Sequence, residues 1–269
     1  MHLELPALGP LGIGLAGAAA LQLVLYLVML RTRNAGIVDA GWATSLALMG
    51  VGYPFLYDGE LGRQVLIAVL VGSWGGRLAW HLWVHRVVGQ PEEGRYVRLR
   101  EIWGDRADLH FLWFFQLQAV LAVVLSLPFA YAASGAEPFP AVTDFVAAGL
   151  WIAGIVGESV ADHQLERFKQ KPGSKGRTCR EGLWRYSRHP NYFFEWILWC
   201  SFAAAATAAT GGWLGWIAPL IIYVLINHVT GIPPTEAQSL RSRGDDYRDY
   251  QRTTSPFFPW FPRTPQERT

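Results

Sequence analysis

Residues Gly182–Trp199 read GLWRYSRHPNYFFEWILW, where a cationic, aromatic loop runs through Pro190 into an apolar segment. That apolar segment carries one carboxylate, Glu195. Charged residues at the point where a helix enters a membrane are costly, and they usually serve a polar ligand or a buried partner. The stretch therefore predicts a polar cofactor at the membrane face and an apolar substrate inside.

The composition is typical of an integral membrane protein. Hydrophobic residues make up 51% of the 269 residues and charged residues only 16%, against about 25% in ordinary soluble domains. Cys179 lies in a basic loop and Cys200 in an apolar segment, so no disulfide framework is expected. We expect one integral membrane domain over residues 1–269, with membrane lipid as a neighbour, no nucleic-acid partner and no metal site.

Seven apolar stretches have the length of a membrane span, about 20 residues. They are residues 10–30, 37–57, 64–84, 110–133, 142–162, 190–209 and 213–232. Of the 23 basic residues, 21 fall in the first, third and fifth loops and in the tail over 233–269. Cytoplasmic loops carry an excess of Arg and Lys. The predicted fold is therefore all-α with seven transmembrane helices, the N-terminus outside and the C-terminus in the cytoplasm. A six-span fold would break the alternation of charge.

Several polar residues fall inside these predicted spans. They are Asp39, Arg77, His81, Glu158, Asp162, Glu195 and His228. An internal ion pair, such as Arg77 with Asp39 or Glu195, would explain any one of them structurally. A group is more simply explained by a buried polar ligand site, because each charge costs roughly 2.5–3.5 kcal/mol at the centre of a bilayer.

The fifth loop, over residues 161–191, combines cations with hydrogen-bonding groups and aromatic rings. Arg and Lys side chains match phosphate, and Trp184 and Tyr186 are suited to stack on a flat heterocycle. Carboxylate and amide groups such as Asp162 and Asn191 can read ribose hydroxyls. NADPH would satisfy all of these groups, and the missing GxGxxG motif excludes a Rossmann domain as its holder. The alternative is an ordinary basic loop that touches anionic lipid.

The tail carries a second group of polar and aromatic residues. Residues 236–243 predict a short amphipathic helix that continues the seventh span and ends near Gly244. We expect Glu236, Arg241 and Tyr250 to fold under the fifth loop and close the cofactor site. The aromatic and proline-rich end, PFFPWFP over 256–262, has the character of an anchor at the membrane interface.

Six motifs in order resemble the bacterial membrane proteins related to steroid 5α-reductases, within the superfamily of sterol reductases and isoprenylcysteine methyltransferases. They are RNAGIVDAGW (33–42), SWGGRLAWHLWVHR (73–86), GRYVRLREIWG (94–104), ADHQLERFK (161–169), GLWRYSRHPNYFFEW (182–196) and GDDYRDYQRTTSPFFPWFP (244–262). The resemblance implies a seven-helix reductase that binds NADPH from the cytoplasmic side, in a bacterial inner membrane. It also implies a lipid-like enone that enters from the bilayer.

The resemblance also implies roles for individual residues. Asp39 matches the family's carboxylate, and Trp74 stands where the family has a tyrosine, so these two are the catalytic candidates. An indole N–H donates a hydrogen bond but gives up no proton usefully, which puts classical steroid 5α-reduction in doubt. The residues carried over for cofactor binding are Arg77, Arg86, Asp162, Lys169, Arg188, His189, Asn191, Tyr192, Glu195 and Tyr250. Glu236 joins them through the expected folding of the tail.

The predicted reaction adds hydride from NADPH to the β-carbon of an enone. Asp39, protonated or acting through its neighbours, stabilises the developing enolate oxygen, with Trp74 as a donor. Steroid, polyprenyl and fatty-acyl enones all suit the expected cavity, and the sequence does not indicate the oligomeric state. The main alternative is an S-adenosylmethionine-dependent membrane methyltransferase, since such enzymes share the RHPxY element. A non-catalytic lipid-binding or transport-like protein is a third alternative, although nothing resembles inverted repeats.

Overall fold

The computed structural model describes residues 5–263, and they form an all-helical protein. Helices account for 77% of the structure, with no strands among the described residues. The α-helices are α1 Leu8–Thr32, α2 Ile37–Gly52, α3 Leu61–Leu82, α4 Gly94–Trp103, α5 Ala107–Leu125, α6 Leu127–Ser134, α7 Val142–Lys169, α8 Pro190–Ala206, α9 Ile217–Val224, α10 Ile232–Arg243 and α11 Asp245–Thr253. The last six residues of the predicted tail lie outside the described range.

Five helical runs are long and apolar enough to cross a membrane. They are Leu8–Thr32, Leu61–Val87, Gly94–Ser134, Val142–Lys169 and Gly212–Arg243. Large apolar side chains on these runs face outward, including Trp113 at 68% exposure and Phe145 at 67%. A protein in water rarely exposes so much apolar surface. These helices therefore indicate an integral membrane protein.

The two other predicted spans coincide with shorter helices. Helix α2 has 16 residues and α8 has 17, which correspond to about 24 and 26 Å at 1.5 Å per residue. The hydrocarbon core of a bilayer is about 30 Å thick. The count of seven spans and the orientation of the chain stay predictions.

Two of the predicted spans are divided by local breaks. The span expected over 110–133 is split at Ser126, between α5 and α6. Pro128 follows in the first turn of α6, and proline has no N–H with which to continue the ladder of α5. The span expected over 213–232 passes from α9 into a π-helical turn, Leu225–Val229, and then bends before α10. A continuous hydrophobic pattern does not reveal such breaks.

The structure divides into two compact units. The first contains the described residues up to Val146 together with Phe202–Ala218, and the second contains Ala147–Ser201 and the described residues from Pro219 onward. The core of the first unit joins Met29 of α1, Ile37 of α2, Tyr96 of α4 and Phe111 of α5. The prediction of one domain over the whole chain is not tested by this division.

A buried ion pair in the first unit connects α3 to α7. Arg63 is 0% exposed and Asp144 is 2% exposed. The guanidinium donates from Nε to Asp144 Oδ1 at 2.9 Å and from Nη2 to Oδ2 at 3.0 Å. It also donates to the carbonyls of Glu137 and Pro138, both at 3.1 Å. All of the charge is therefore compensated within the protein, as an apolar environment requires.

Close packing of α7 on α8 organises the second unit. A Cβ on Gly157 would lie 2.2 Å from the ring of Phe194, and one on Gly154 would lie 2.6 Å from Leu198. Small residues at this spacing let two helix backbones approach closely where lipid gives no hydrophobic driving force. This contact fixes the first turns of α8, where several candidate site residues lie.

We predict that Asp144→Asn destabilises the protein by about 3–5 kcal/mol, because it leaves the Arg63 guanidinium buried without its counter-charge. The measurement is the midpoint of thermal unfolding in detergent. Asp245→Asn removes an ion pair with Arg248 that is exposed to solvent, so it serves as the matched control and should leave the midpoint unchanged. Equal midpoints for both variants would contradict the structural role of the buried pair.

Candidate functional site

Asp39 lies in the first turn of α2 and is held by two side chains of α4. The Tyr96 hydroxyl donates to Asp39 Oδ1 at 2.8 Å, and the Arg95 guanidinium pairs with Oδ2. Asp39 is 17% exposed and Arg95 is 36% exposed, whereas Tyr96 is buried. Asp39 therefore acts as an acceptor for two donors. The catalytic role of Asp39, either protonated or acting through its neighbours, stays a prediction.

A chain of alternating charges leads away from this cluster. Arg95 Nε lies 3.2 Å from Glu93 Oε1, and Glu93 Oε2 lies 3.3 Å from Arg86 Nη1. Arg86 belongs to a π-helical turn, Trp83–Val87, that ends the long third helix. Such turns often occur at functional sites. The structure thus connects Arg86 to Asp39, and both were sequence-predicted site residues.

The RNAG part of the first motif anchors the third loop. Asn34 donates to the carbonyl of Gln90 at 3.1 Å, and Glu92 accepts from the backbone N–H of Ala35 at 2.8 Å. Glu92 also pairs with Arg100 at 2.9 Å. These bonds hold α4 next to the start of α2, so they position the donors that reach Asp39.

Trp74 and Arg77 of α3 differ in burial. Trp74 is 0% exposed and packs edge to face against Phe202, with ring centroids 5.5 Å apart. Arg77 is exposed, as is His81 one turn further. The indole of Trp74 is therefore part of the core of the first unit, and its proposed role as a donor to substrate is not tested by the structure.

In the second unit, Glu236 of α10 is the centre of a hydrogen-bond network. Its Oε1 accepts from Arg188 Nε at 2.6 Å and from the Tyr247 hydroxyl at 3.3 Å, and it lies 3.2 Å from His189 Nε2. Its Oε2 accepts from Gln251 Nε2 at 2.7 Å. Arg188, His189 and Glu236 are 10%, 5% and 14% exposed. These three predicted cofactor residues are thus committed mainly to one another.

The Arg188 side chain also binds backbone carbonyls of the tail. Its Nη1 donates to the carbonyls of Gln251 at 3.1 Å and Thr254 at 2.7 Å. The Arg188 backbone N–H donates to the carbonyl of Ser255 at 2.8 Å. Glu236 therefore joins the tail to the fifth loop, and its part in closing a cofactor site stays a prediction. Arg241 does not take part, since it is exposed and its guanidinium bonds Gln238 of its own helix.

Tyr250 joins the tail to the same loop from inside. It is 1% exposed, and its hydroxyl donates to the carbonyl of Trp184 and to that of Ser187 at 3.1 Å. Burial raises the pKa of Tyr250, so the hydroxyl remains a donor at physiological pH. Tyr250 thus shapes the loop and presents no open surface to a ligand.

Trp184 is part of the core of this loop. The ring is only 8% exposed, and its Nε1 donates to the carbonyl of Ala161 at 2.8 Å. This corrects the interpretation of Trp184 as a stacking platform for a heterocycle. Tyr186 is half-buried and contacts the ring of Phe261 edge to face, with centroids 6.0 Å apart.

The remaining predicted cofactor residues lie around the end of α7 and the start of α8. Asn191 donates to Asp162 Oδ1 at 3.3 Å, and Asp162 is exposed. Glu195, one turn along α8, accepts from Trp199 Nε1 at 3.0 Å. Lys169 is exposed at the end of α7. The structure thus brings the Asp162 carboxylate and the Asn191 amide together.

Tyr192 lies beside this pair and is also connected to the Glu236 network. Its ring stacks on His189 at 5.5 Å between centroids, with 9° between the planes. Its hydroxyl lies 3.3 Å from the Thr235 hydroxyl on α10. Tyr192 therefore links the first turn of α8 to α10.

Sequence reasoning missed Arg95 and Tyr96, and it missed Gln251 and Tyr247 of the Glu236 network. The GRYVRLREIWG motif contains Arg95 and Tyr96, but its spacing does not show which residue they contact. The contact between positions 39 and 96 depends on how α4 packs. One signal for this contact was available in the sequence. The GRYVRLREIWG motif is polar and lies in a loop, and a neighbouring predicted span carries the isolated carboxylate Asp39.

A family profile described as protein of unknown function (DUF1295) matches residues 25–254. The chain belongs to this family. DUF1295 is in the steroid 5α-reductase-like group.

Individual relatives either have low sequence identity to this chain or match only a short part of it. An uncharacterized protein of Schizosaccharomyces pombe is 28% identical over 218 residues, which is 72% of this chain and 63% of that protein. The 3-oxo-5-alpha-steroid 4-dehydrogenase 1 of Mus musculus is 42% identical over 55 residues, and that of Macaca fascicularis is 41% identical over 56 residues. Each of these last matches covers 20% of this chain and 21% of the relative. No solved structure matches the chain. The chain thus spans less than two thirds of the length of each of these relatives.

We predict that Glu236→Gln loosens the tail, because hydrogen bonds to a charged group contribute about 1.5–3 kcal/mol and Arg188 loses its counter-charge. The rate at which trypsin cleaves after Arg248 and Arg252 should rise about tenfold or more, as expected for a loss of ~1.4 kcal/mol in local stability. Glu166→Gln is the control, since Glu166 contacts Lys169 at 3.7 Å on an exposed surface. Unchanged cleavage in Glu236→Gln would contradict the role of the network.

Proposed function

We infer that the protein is an NADPH-dependent membrane reductase that saturates a carbon–carbon double bond conjugated to a carbonyl in a lipid-like molecule. The observation that carries this proposal is the convergence of Arg95 and Tyr96 on Asp39 at the start of α2. A guanidinium held in place by a carboxylate suits the stabilisation of an oxygen on which charge develops. Membership of DUF1295 and the local similarity to 3-oxo-5-alpha-steroid 4-dehydrogenases support the same class.

The residues at the end of α7 and the start of α8 fit a phosphorylated dinucleotide. Asp162 and Asn191 offer a carboxylate and an amide side by side for ribose hydroxyls or an amide group. Exposed cations nearby match phosphates, including Arg167, Lys169 and Arg185. Arg188 contributes to the shape of the site instead, because its guanidinium is committed to Glu236 and to two carbonyls.

Bound NADPH would supply the hydride for the β-carbon of the enone. The protein's part is to hold the carbonyl oxygen and to exclude water. Arg95, which is 36% exposed, presents its guanidinium to that oxygen, and Asp39, which also accepts from the Tyr96 hydroxyl, fixes the orientation of that guanidinium. A proton from water or a nearby acid then adds to the α-carbon, which completes the saturation of the bond.

The proposal includes the membrane arrangement expected from the charges. Seven spans place the basic loops, and with them the cofactor site, on the cytoplasmic side of a bacterial inner membrane. The substrate enters from the bilayer among Trp and Phe side chains. Short α2 and α8 cross by local thinning of the bilayer or by snorkelling of their flanking residues, each at a modest cost.

We predict that detergent-purified protein binds NADPH and that Asn191→Ala weakens binding about fivefold, because one hydrogen bond contributes ~1 kcal/mol. NADPH, NADH and S-adenosylmethionine are titrated in parallel, with energy transfer from tryptophan to the reduced nicotinamide as one readout and calorimetry as the other. Gln170→Ala is the control, since it removes an exposed amide of the same kind. Binding of S-adenosylmethionine alone would overturn the reductase class in favour of a methyltransferase.

We predict that Asp39→Asn and Tyr96→Phe keep their nucleotide affinity but lose about 10- to 100-fold in turnover, since each disturbs the donors held for the substrate oxygen. Turnover is followed as the loss of nicotinamide absorbance with an enone lipid. The control is Tyr131→Phe, which removes a buried tyrosine hydroxyl of the first unit outside this cluster. Full turnover in Asp39→Asn would show that the assigned role of Asp39 is wrong.

A further inference from the structure

The end of the described chain forms a small cavity with a cationic lining. Its volume is about 250 Å³, and its lining includes three arginines, Arg188, Arg252 and Arg263. No carboxylate lines it within residues 5–263. Drug-sized ligands occupy about 300–1,000 Å³, so the cavity suits a small anionic group better than a whole dinucleotide.

The three arginines of the cavity differ in their existing contacts and in their exposure. Arg188 is committed to Glu236 and to backbone carbonyls. Arg252 pairs with Asp249 one turn earlier but is 62% exposed, and Arg263 is exposed. The Arg263 backbone N–H donates to the carbonyl of Thr253 at 2.8 Å, which closes the loop around the cavity. Two exposed arginines therefore line the cavity, and the backbone of one of them, Arg263, is fixed by a hydrogen bond.

Aromatic side chains surround the same rim and point outward. Trp260 and Phe261 line the cavity and are 72% and 77% exposed. Phe258, 48% exposed, packs against Trp196 at 5.8 Å and Tyr223 at 6.1 Å between ring centroids. Tyr223 lies in a candidate membrane-crossing run. Aromatic residues such as Trp260 and Phe261 are enriched at the interface between membrane and water.

We propose that this cavity binds the phosphate headgroup of an anionic phospholipid, with Arg252 and Arg263 as the headgroup ligands and Trp260 and Phe261 inserted among the acyl chains. Charge complementarity carries the argument, because the lining is cationic and exposed aromatic rings lie beside the arginines. A freely diffusing anion would not need two exposed aromatic rings beside the arginines. The inference does not depend on the proposed reductase activity.

The test is native mass spectrometry of the full-length protein in detergent, with phosphatidylglycerol or phosphatidylcholine added. We expect preferential retention of phosphatidylglycerol. The double variant Arg252→Gln/Arg263→Gln should lose about 25-fold in that affinity, since each basic side chain near an anionic surface contributes about fivefold. Arg241→Gln/Arg248→Gln removes the same charge from exposed positions outside the cavity, and it should leave the affinity unchanged.

Three results would overturn the proposal. Equal losses in both double variants would indicate that only net charge matters. Equal retention of the two lipids by the wild-type protein would remove the preference for an anionic headgroup. Displacement of phosphatidylglycerol by excess inorganic phosphate would indicate a site for a free anion. Trp260→Ala/Phe261→Ala, which keeps both arginines, should also weaken retention, and an unchanged affinity there would exclude the inserted aromatic rings.

Discussion

The structure depends on one constraint: a charged side chain among apolar helices must have an opposite charge or hydrogen-bond partners within the protein. Arg63 meets it with Asp144 and two carbonyls, and Glu236 meets it with Arg188, Tyr247 and Gln251. Leaving one partner of such a buried pair uncompensated costs about 3–5 kcal/mol. The same constraint explains why polar side chains occur in clusters here and why each cluster joins elements that are distant in the sequence.

This constraint separates the sequence-predicted site residues into two kinds. Arg188, His189, Glu236 and Tyr250 satisfy one another and the loop backbone, so they give the fifth loop its shape. Asp162, Asn191 and Lys169 lie nearer the surface, where they can meet a ligand. In such a site the buried residues fix the backbone, and the residues nearer the surface stay accessible to a ligand. Supporting contacts of this kind are what precise positioning of a ligand requires.

Local sequence patterns predicted the helical membrane class and the end of α10 near Gly244. Gly244 has a φ of +57°, a left-handed value that glycine adopts readily. The patterns also predicted that the tail folds against the fifth loop. Hydrophobicity alone did not predict the break at Ser126 or the turn over Leu225–Val229, because an apolar run looks the same whether or not it is interrupted. Pro128 was the one sequence signal for the first break. The contact of Tyr96 with Asp39 joins residues 57 positions apart. An aromatic residue such as Trp184 is equally compatible with a place in the core and with stacking on a ligand. Only the packing in the structure shows that Trp184 belongs to the core.

The most direct test of the central claim follows the hydride itself. The purified protein is supplied with NADPH carrying deuterium at the transferred position, together with a lipid extract that contains enones, and the lipid products are analysed by mass spectrometry. The account predicts that one deuterium appears on the β-carbon of a saturated product, in equal amount with NADP⁺. It also predicts that Asp39→Asn lowers both. Failure to transfer deuterium although NADPH is bound, or transfer of a labelled methyl group from S-adenosylmethionine to the lipid, would contradict it.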